Sequence, residues 1–298
     1  MPRPPPSPAV PRGLAQFGAM RPIEEFRKQP PEFWALVKLA SMELGYSQRG
    51  TGRLKRYSPA DIRAKLEARD LDPSGHEDTI ERAAAYSEAR ADLLERGVKP
   101  NLMDRDDAAK LFKSIRKRVK PPDYLLTMNK QKKEKRHYAY LACIVNMLTY
   151  EGLCDRFGRA EFDHNPRGPL TFARDGMPLR TLFRWMDGAY PNLNHPHAAW
   201  EVKEYYGTTT FGSRVADGVY ETALDGYELN DLRDSGVEVD HFLFLDDRFT
   251  WWDRGRSYLC RIVDMLHADL LDGAFFGKEV VAEWPGIVAE WPEASPSE

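Results

Sequence analysis

The 298-residue sequence contains no run of eighteen apolar residues, so it lacks the segment a transmembrane helix needs. Its first twenty residues, MPRPPPSPAVPRGLAQFGAM, place proline where a secretory leader needs an apolar helix. These two features exclude a membrane partner and lead us to expect a cytoplasmic protein. Cysteine is scarce: Cys143, Cys154 and Cys260 are odd in number and have no C-x-x-C spacing, which excludes a disulfide framework and a structural zinc site. Cys143 and Cys260 fall in apolar helical patterns and read as core residues. Neither a P-loop nor a helicase motif is found, so nucleotide-driven chemistry has no support. Histidine offers one metal-like pattern, His195-Pro196-His197. It sits in a Pro/Asn loop without a third or fourth ligand and reads as a loop at the mouth of a cleft.

What the chain does have is an uneven charge. Between Lys110 and Arg136 there are eleven Lys or Arg against two acids, Asp123 and Glu134, on a chain whose net charge is −3. The remainder is therefore strongly acidic. A basic strip on an acidic body points to a polyanion such as nucleic acid, with a solvated charged face as the simpler alternative. Lys130, Lys132, Lys133, Lys135 and Arg136 form its densest part. They are expected in the first turns of a helix running from there through LACIVNMLTYEGL, where positive charge opposes the macrodipole and an anion would be welcome.

Residues 1–20 read as a disordered Pro-rich tail. Residues 21–155 read as a helical domain for DNA binding, dimer contacts or both. Phe33, Leu36, Val37, Ala40 and Leu44 recur at helical spacing before Gly45, and Ser58-Pro59 is a cap followed by a first-turn proline. After residue 155 the texture changes. Two strand-like runs flank Asp175-Gly176, a hairpin signal, and the second is expected to end at Asp187. AAWEVKEYYG reads as a third strand, the segment from Ser213 (as N-cap) to Gly236 as a helix, VEVDHFLFLDD as a fourth strand, SYLCRIVDMLHADLLDG as a final helix, and residues 281–298 as a tail. The expected fold class is α/β, a mixed sheet flanked by helices over residues 160–280.

On the third strand Glu201 and Lys203 share a face, because side chains alternate, while Trp200 and Val202 point the other way. Asp187 precedes Glu201 by thirteen intervening residues. Two carboxylates on rigid backbone with an ammonium beside them suit hydrolysis of a phosphodiester with a hard cation. The pattern Asp187…Glu201-Val202-Lys203 resembles the active-site motif of the PD-(D/E)XK, or restriction-endonuclease-like, nuclease superfamily over roughly residues 165–270. Met186 stands where many members of that superfamily have proline. The resemblance implies a Mg²⁺-dependent endonuclease, with Mn²⁺ as substitute, acting on double-stranded DNA, of restriction or phage-defence type and capable of forming a homodimer. It further implies that Asp187, Glu201 and the Val202 carbonyl hold the metal and that Lys203 orients or activates the attacking water. Arg214, on the helix that would lie beside the site, is a candidate phosphate contact, although Asp217 three residues on is an ordinary ion-pair partner. A catalytically inactive nucleic-acid-binding protein and a structure-specific RNase of the same fold are the alternatives. The pair Trp251-Trp252 with Arg254 and Arg256 reads either as core or as a stacking surface.

Overall fold

The computed structural model describes residues 21–129, 137–206 and 212–294. Its first three helices are α1 (Pro31–Leu44), α2 (Pro59–Glu67) and α3 (Glu77–Asp92). Local chemistry sets their ends. Ser58 and Asp61 form a reciprocal capping box with Pro59 at the first helical position, and Gly45 closes α1 at φ +81°. The three helices share a core of Phe26, Phe33, Val37, Ile62, Ile80 and Tyr86. They are joined to the rest by a buried ion pair: Arg90 of α3 donates to Asp264 at 2.8 and 3.0 Å, and the Tyr86 hydroxyl donates to the same carboxylate at 2.8 Å. Removing one partner of such a pair strands a buried charge, at about 3–5 kcal/mol.

The remainder is a mixed α/β unit. Helices α4 (Arg105–Val119) and α5 (Tyr140–Phe157) precede a hairpin of β1 (Thr171–Arg174) and β2 (Met177–Thr181). This hairpin turns through Asp175 and Gly176, both at positive φ, as the Asp-Gly pair predicts. A separate four-stranded sheet has the order β3 (Gly188–Tyr190), β4 (Ala198–Glu204), β5 (Asp240–Asp246), β6 (Gly273–Phe276). β3 runs antiparallel to β4, whereas β4, β5 and β6 are parallel, linked through α6 (Ser213–Asp234) and α7 (Arg256–His267). Alternation divides the sheet into two dry faces. Ala198, Trp200, Phe242, Phe244 and Phe275 pack with α5 and with α8 (Val280–Glu290). Leu243, Leu245, Ala274 and Phe276 pack with α7 and the first part of α6, and Ala199 packs with the far end of α6. No helix among the described residues is long and apolar enough to cross a membrane.

Several expectations are corrected. The second strand does not reach Asp187: it ends at Thr181, and Asp187 immediately precedes β3, because residues 182–187 leave the hairpin to join the main sheet. Residues 281–291 are not a tail. α8 buries Trp284 and Val288, Trp291 follows it into the core, and Trp284 Nε1 donates to Thr149 Oγ1 at 2.8 Å. Helix α5 starts at Tyr140, past the basic run, and its leading N–H groups are met from within the fold. Ser213 is the first helical residue of α6 rather than its cap. Helices α4 and α5, expected with the N-terminal helices, share the core of the sheet and α8. Trp251 and Trp252 are buried, with the Arg256 guanidinium 4.9 Å over the Trp252 ring and donating to the Trp252 and Gly52 carbonyls, so they form no stacking surface.

Candidate active site

The site is assembled where β3 stops short. β3 pairs with only the first three residues of β4, Gly188 opposite Trp200, so residues 201–204 have no strand partner on that edge. Glycine is required at 188, since a Cβ there would lie 2.0 Å from the Trp200 ring. Asp187 bridges the gap. Its backbone N–H donates to the Trp200 carbonyl at 3.0 Å, and its Oδ2 accepts from the Val202 N–H at 2.8 Å, taking the place of the next strand residue. Within an extended strand the N–H and C=O of one residue point to the same edge. The Val202 carbonyl therefore faces the edge that Asp187 occupies.

Glu201 and Lys203 turn together to the face covered by α6. Glu201 is buried, and Lys203 Nζ lies 3.1 Å from its Oε2 while donating to Glu221 Oε2 at 2.8 Å. Space for the lysine chain comes from Gly218 of α6, where a Cβ would sit 3.6 Å from Lys203 Cδ and 3.0 Å from the Tyr205 hydroxyl oxygen. Two further residues complete the cluster. Arg184, in the segment between β2 and β3, places Nη1 3.1 Å from Glu201 Oε1 and donates to Asp225 Oδ2 at 2.6 Å, while its Nη2 is 3.1 Å from Glu221. Asp225 itself is fully buried.

Burial and the neighbouring Asp187 push the Glu201 carboxyl up to about 8, although Lys203 and Arg184 draw it back. Burial lifts Asp225 to about 7 against the pull of Arg184. Burial opposes the charge of Lys203, but Glu201 and Glu221 more than offset it and hold the ammonium above its ordinary value. Glu221, half-buried, is pushed up by that burial but held below its ordinary value by Lys203 and Arg184. Four carboxylates thus meet two cations. When all are ionised the surplus is that of one divalent cation. Glu201 Oε1 also lacks an aligned hydrogen bond, despite the nearby guanidinium. Asp187 and Glu201 are neighbouring carboxylates, with the Val202 carbonyl at the same edge. Such an all-oxygen donor set fits Mg²⁺ or Mn²⁺, which keep several waters and need few protein ligands. Among the described residues no group of three or more His, Cys, Asp or Glu is arranged to hold a metal, so this would be an open site of two carboxylates and a carbonyl.

Asp187, Glu201, Val202 and Lys203 are therefore brought together as the spacing suggests, and Glu221 lies beside them. Arg214 is exposed on the first turn of α6, and its side chain enters none of these contacts. Lys130, Lys132, Lys133, Lys135 and Arg136 lie outside the described residues. The segments flanking them are joined, Met128 bridging Tyr138 and Asn129 N–H donating to the His137 carbonyl at 2.7 Å, and Tyr138 packs against Phe112 and Arg116 of α4. His195 and His197 form no metal pair: His195 Nε2 accepts from the Ala173 N–H at 2.6 Å, and His197 lines an open cavity of about 480 Å³ before β4, at the end away from Lys203. That corrects the expectation of a loop at the mouth of the cleft. Arg184 and Asp225 escape the sequence motif. An acidic pair at i and i+4, Glu221 and Asp225, is their only signal.

Fold and site define a mixed α/β protein with an acid- and lysine-lined edge on its central sheet. The chain belongs to the family described as a domain of unknown function (DUF7687), which it matches over residues 103–291, and a second domain of unknown function (DUF7690) matches residues 20–96. No curated protein matches the chain, and no solved structure does.

Proposed function

We propose that the protein is a metal-dependent nuclease of the PD-(D/E)XK, restriction-endonuclease-like type, hydrolysing phosphodiester bonds in DNA. One observation carries this reading: Asp187 is fixed to Val202 across the end of β3, while Glu201 and Lys203 lie 3.1 Å apart on the adjoining face of β4. The strand order supports it, because an antiparallel pair followed by a helical crossover to a parallel strand is the order of that superfamily's core.

Asp187, Glu201 and the Val202 carbonyl would hold Mg²⁺ or Mn²⁺. The ion, when bound, supplies Lewis-acid polarisation of the phosphate and an acidified water. The protein's own residues do the rest. Lys203, held protonated by Glu201 and Glu221, donates hydrogen bonds rather than removing a proton; it orients the attacking water and stabilises charge gathering on the phosphoryl oxygens. Burial of Glu201 beside Asp187 disfavours two bare carboxylates, which raises the benefit of a cation between them. The basic residues of α4 and of 130–136 supply sequence-independent attraction for phosphates. A role in restriction or defence against phage is the biological setting this reading favours.

The test is incubation of the purified protein with plasmid DNA, linear DNA and RNA in Mg²⁺, Mn²⁺, Ca²⁺ or EDTA. Cleavage of DNA in Mg²⁺ and Mn²⁺, binding without turnover in Ca²⁺ and neither cutting nor loss of fold in EDTA are expected. Full activity in EDTA, or none on any nucleic acid in Mg²⁺, ends the proposal, and cleavage of RNA alone reassigns the substrate.

A further inference from the structure

Arg184 is the cluster member that the motif does not contain. Its guanidinium reaches three carboxylates, but not equally: the contact with Asp225 is an aligned 2.6 Å hydrogen bond, whereas Glu201 Oε1, 3.1 Å from Nη1, is left without one. The shorter contact ties the arginine to α6, and the longer, less aligned one pairs it with Glu201 of β4. Its backbone neighbourhood is tied to the same helix, since the Phe183 N–H donates to Glu228 Oε2 of α6 at 3.2 Å. Phe183 and Trp185 on either side point to solvent while Arg184 turns inward. The oxygen that Arg184 meets in the longer, less aligned contact belongs to the carboxylate best placed to face a cation with Asp187.

We propose that Arg184 is a built-in counter-cation that competes with the divalent metal for Glu201. It pairs with Glu201 in the metal-free protein and yields that carboxylate when the metal binds, remaining docked on Asp225 and Glu221. It is a positioning residue, acting through Glu201. The inference rests on the metal-site reading above, and it adds a partner that sets how tightly the metal is held.

Calcium binding to the full chain, measured by titration calorimetry and by thermal melting, tests it. In Arg184→Gln a positive charge is removed beside two ligand carboxylates, so Ca²⁺ should bind roughly tenfold more tightly. The metal-free variant should melt below wild type, and Ca²⁺ should raise its melting temperature by more than it raises that of wild type. Equal or weaker Ca²⁺ affinity in a folded Arg184→Gln protein overturns the proposal. Should that variant fail to fold, nuclear magnetic resonance of the wild-type arginine Nε–H groups decides the matter. The Arg184 signal should shift as Ca²⁺ saturates the protein, and an unmoved signal overturns the idea equally. Failure of the nuclease reading is separable. Ca²⁺ binding that depends on Asp187 and tightens in Arg184→Gln, without DNA cleavage in Mg²⁺, sustains the arginine's role and removes the nuclease; cleavage by wild type without tightening in the variant does the reverse. Absence of any Ca²⁺ binding overturns the arginine's role together with the metal site.

Discussion

Three residues apart on β4 stand two carboxylates that burial treats alike and the fold uses differently. Glu201 and Glu204 are each pushed up to about 8, burial being the first cause in both. Around Glu204 the needs of the backbone are met: Oε2 accepts from the Leu141 N–H at 2.6 Å and the Ala142 N–H at 3.3 Å, capping α5. Its register partner on β5, Asp246, accepts from the Met103 and Asp247 N–H groups at 2.8 and 2.9 Å and from the Tyr206 hydroxyl. This second cluster ties α5 and the start of α4 to the ends of the central strands. Around Glu201, by contrast, the partners are side chains carrying charge and one oxygen has no aligned donor, whereas Asp187 raises both carboxyls. Backbone N–H donors suit a carboxylate that holds structure; charged side-chain partners and an oxygen without an aligned donor suit one kept for a ligand.

The largest expected effect separates the two clusters by chemistry. Asp187→Asn and Glu201→Gln should each lower DNA cleavage by at least about 10²-fold, since each removes an interaction needed in the transition state. Both variants should keep their fold by circular dichroism. Burial already works against the charge of Glu201, so a neutral isostere should change stability by about 1 kcal/mol or less. Wild-type cleavage rates in either variant would erase the distinction drawn above. Lys203→Ala should also stop cleavage while leaving Ca²⁺-dependent DNA binding in place.

Next in size is the reverse experiment on the structural cluster. Glu204→Ala strands two N–H groups at the head of α5, at roughly 2–4 kcal/mol in chemical denaturation. Glu204→Gln, which keeps an acceptor, should lose less. Cleavage by the folded fraction of Glu204→Gln should remain within a few-fold of wild type. A Glu204→Gln protein that is stable but inactive would move Glu204 into the reacting site.

Strands β4 and β5, and the pairing of an acid with a lysine on β4, were legible in the sequence, whereas the short β3 and β6 were not. AAWEVKE alternates around a buried face, and VEVDHFLFLDD is apolar enough for a strand covered on both sides. What the pattern could not show was distance along the chain. Glu204 lies on the same strand as the motif, yet its role depends on α5, whose start no local signal marks, since a side chain from over sixty residues away caps it. Arg184 was hidden for a similar reason: it lies in an irregular segment, and its three partners come from β4 and α6. Helix α8 escapes the pattern because the Trp284-Pro285 step within it and the Trp291-Pro292 step after it resemble a tail. The Trp284 and Trp291 rings instead pack against Trp200, with centroids 5.8 and 6.0 Å away.

A third prediction uses pH. A carboxyl with a raised value binds its proton more tightly when folded than unfolded, so its contribution is complete below about pH 4.5 and is lost as pH rises through about 8. Metal-free protein should therefore melt at progressively lower temperature from pH 5 to pH 8.5, and Glu201→Gln and Glu204→Gln should each flatten part of that slope. Calcium should divide the clusters. Because a ligand carboxylate must be deprotonated, Ca²⁺ at pH 8 should restore the melting temperature of wild type and of Glu204→Gln but not of Glu201→Gln. Restoration in all three proteins would place the ion elsewhere.

The smallest effect concerns what brings a polyanion to the edge of β4. Helix α4 presents Lys113 and Lys117 to solvent at i and i+4, its C-cap Lys120 is also exposed, and none of the three pairs with a described acid. Arg118 is engaged with Glu151, and Arg116 with Asp123 and the Tyr138 ring. The segments that flank residues 130–136 pack beside Phe112 of the same helix. Replacing the three lysines by alanine should weaken DNA binding in Ca²⁺ about equally for all sequences and reduce the slope of log affinity against log salt by about one for each phosphate left unneutralised. Replacing Lys130, Lys132, Lys133 and Lys135 should reduce it further. On the proposed function these lysines attract substrate only, so the turnover rate at saturating DNA should hold. An unchanged salt slope would make the stripe a solvated face and leave the acidic edge of β4 without its means of attracting DNA.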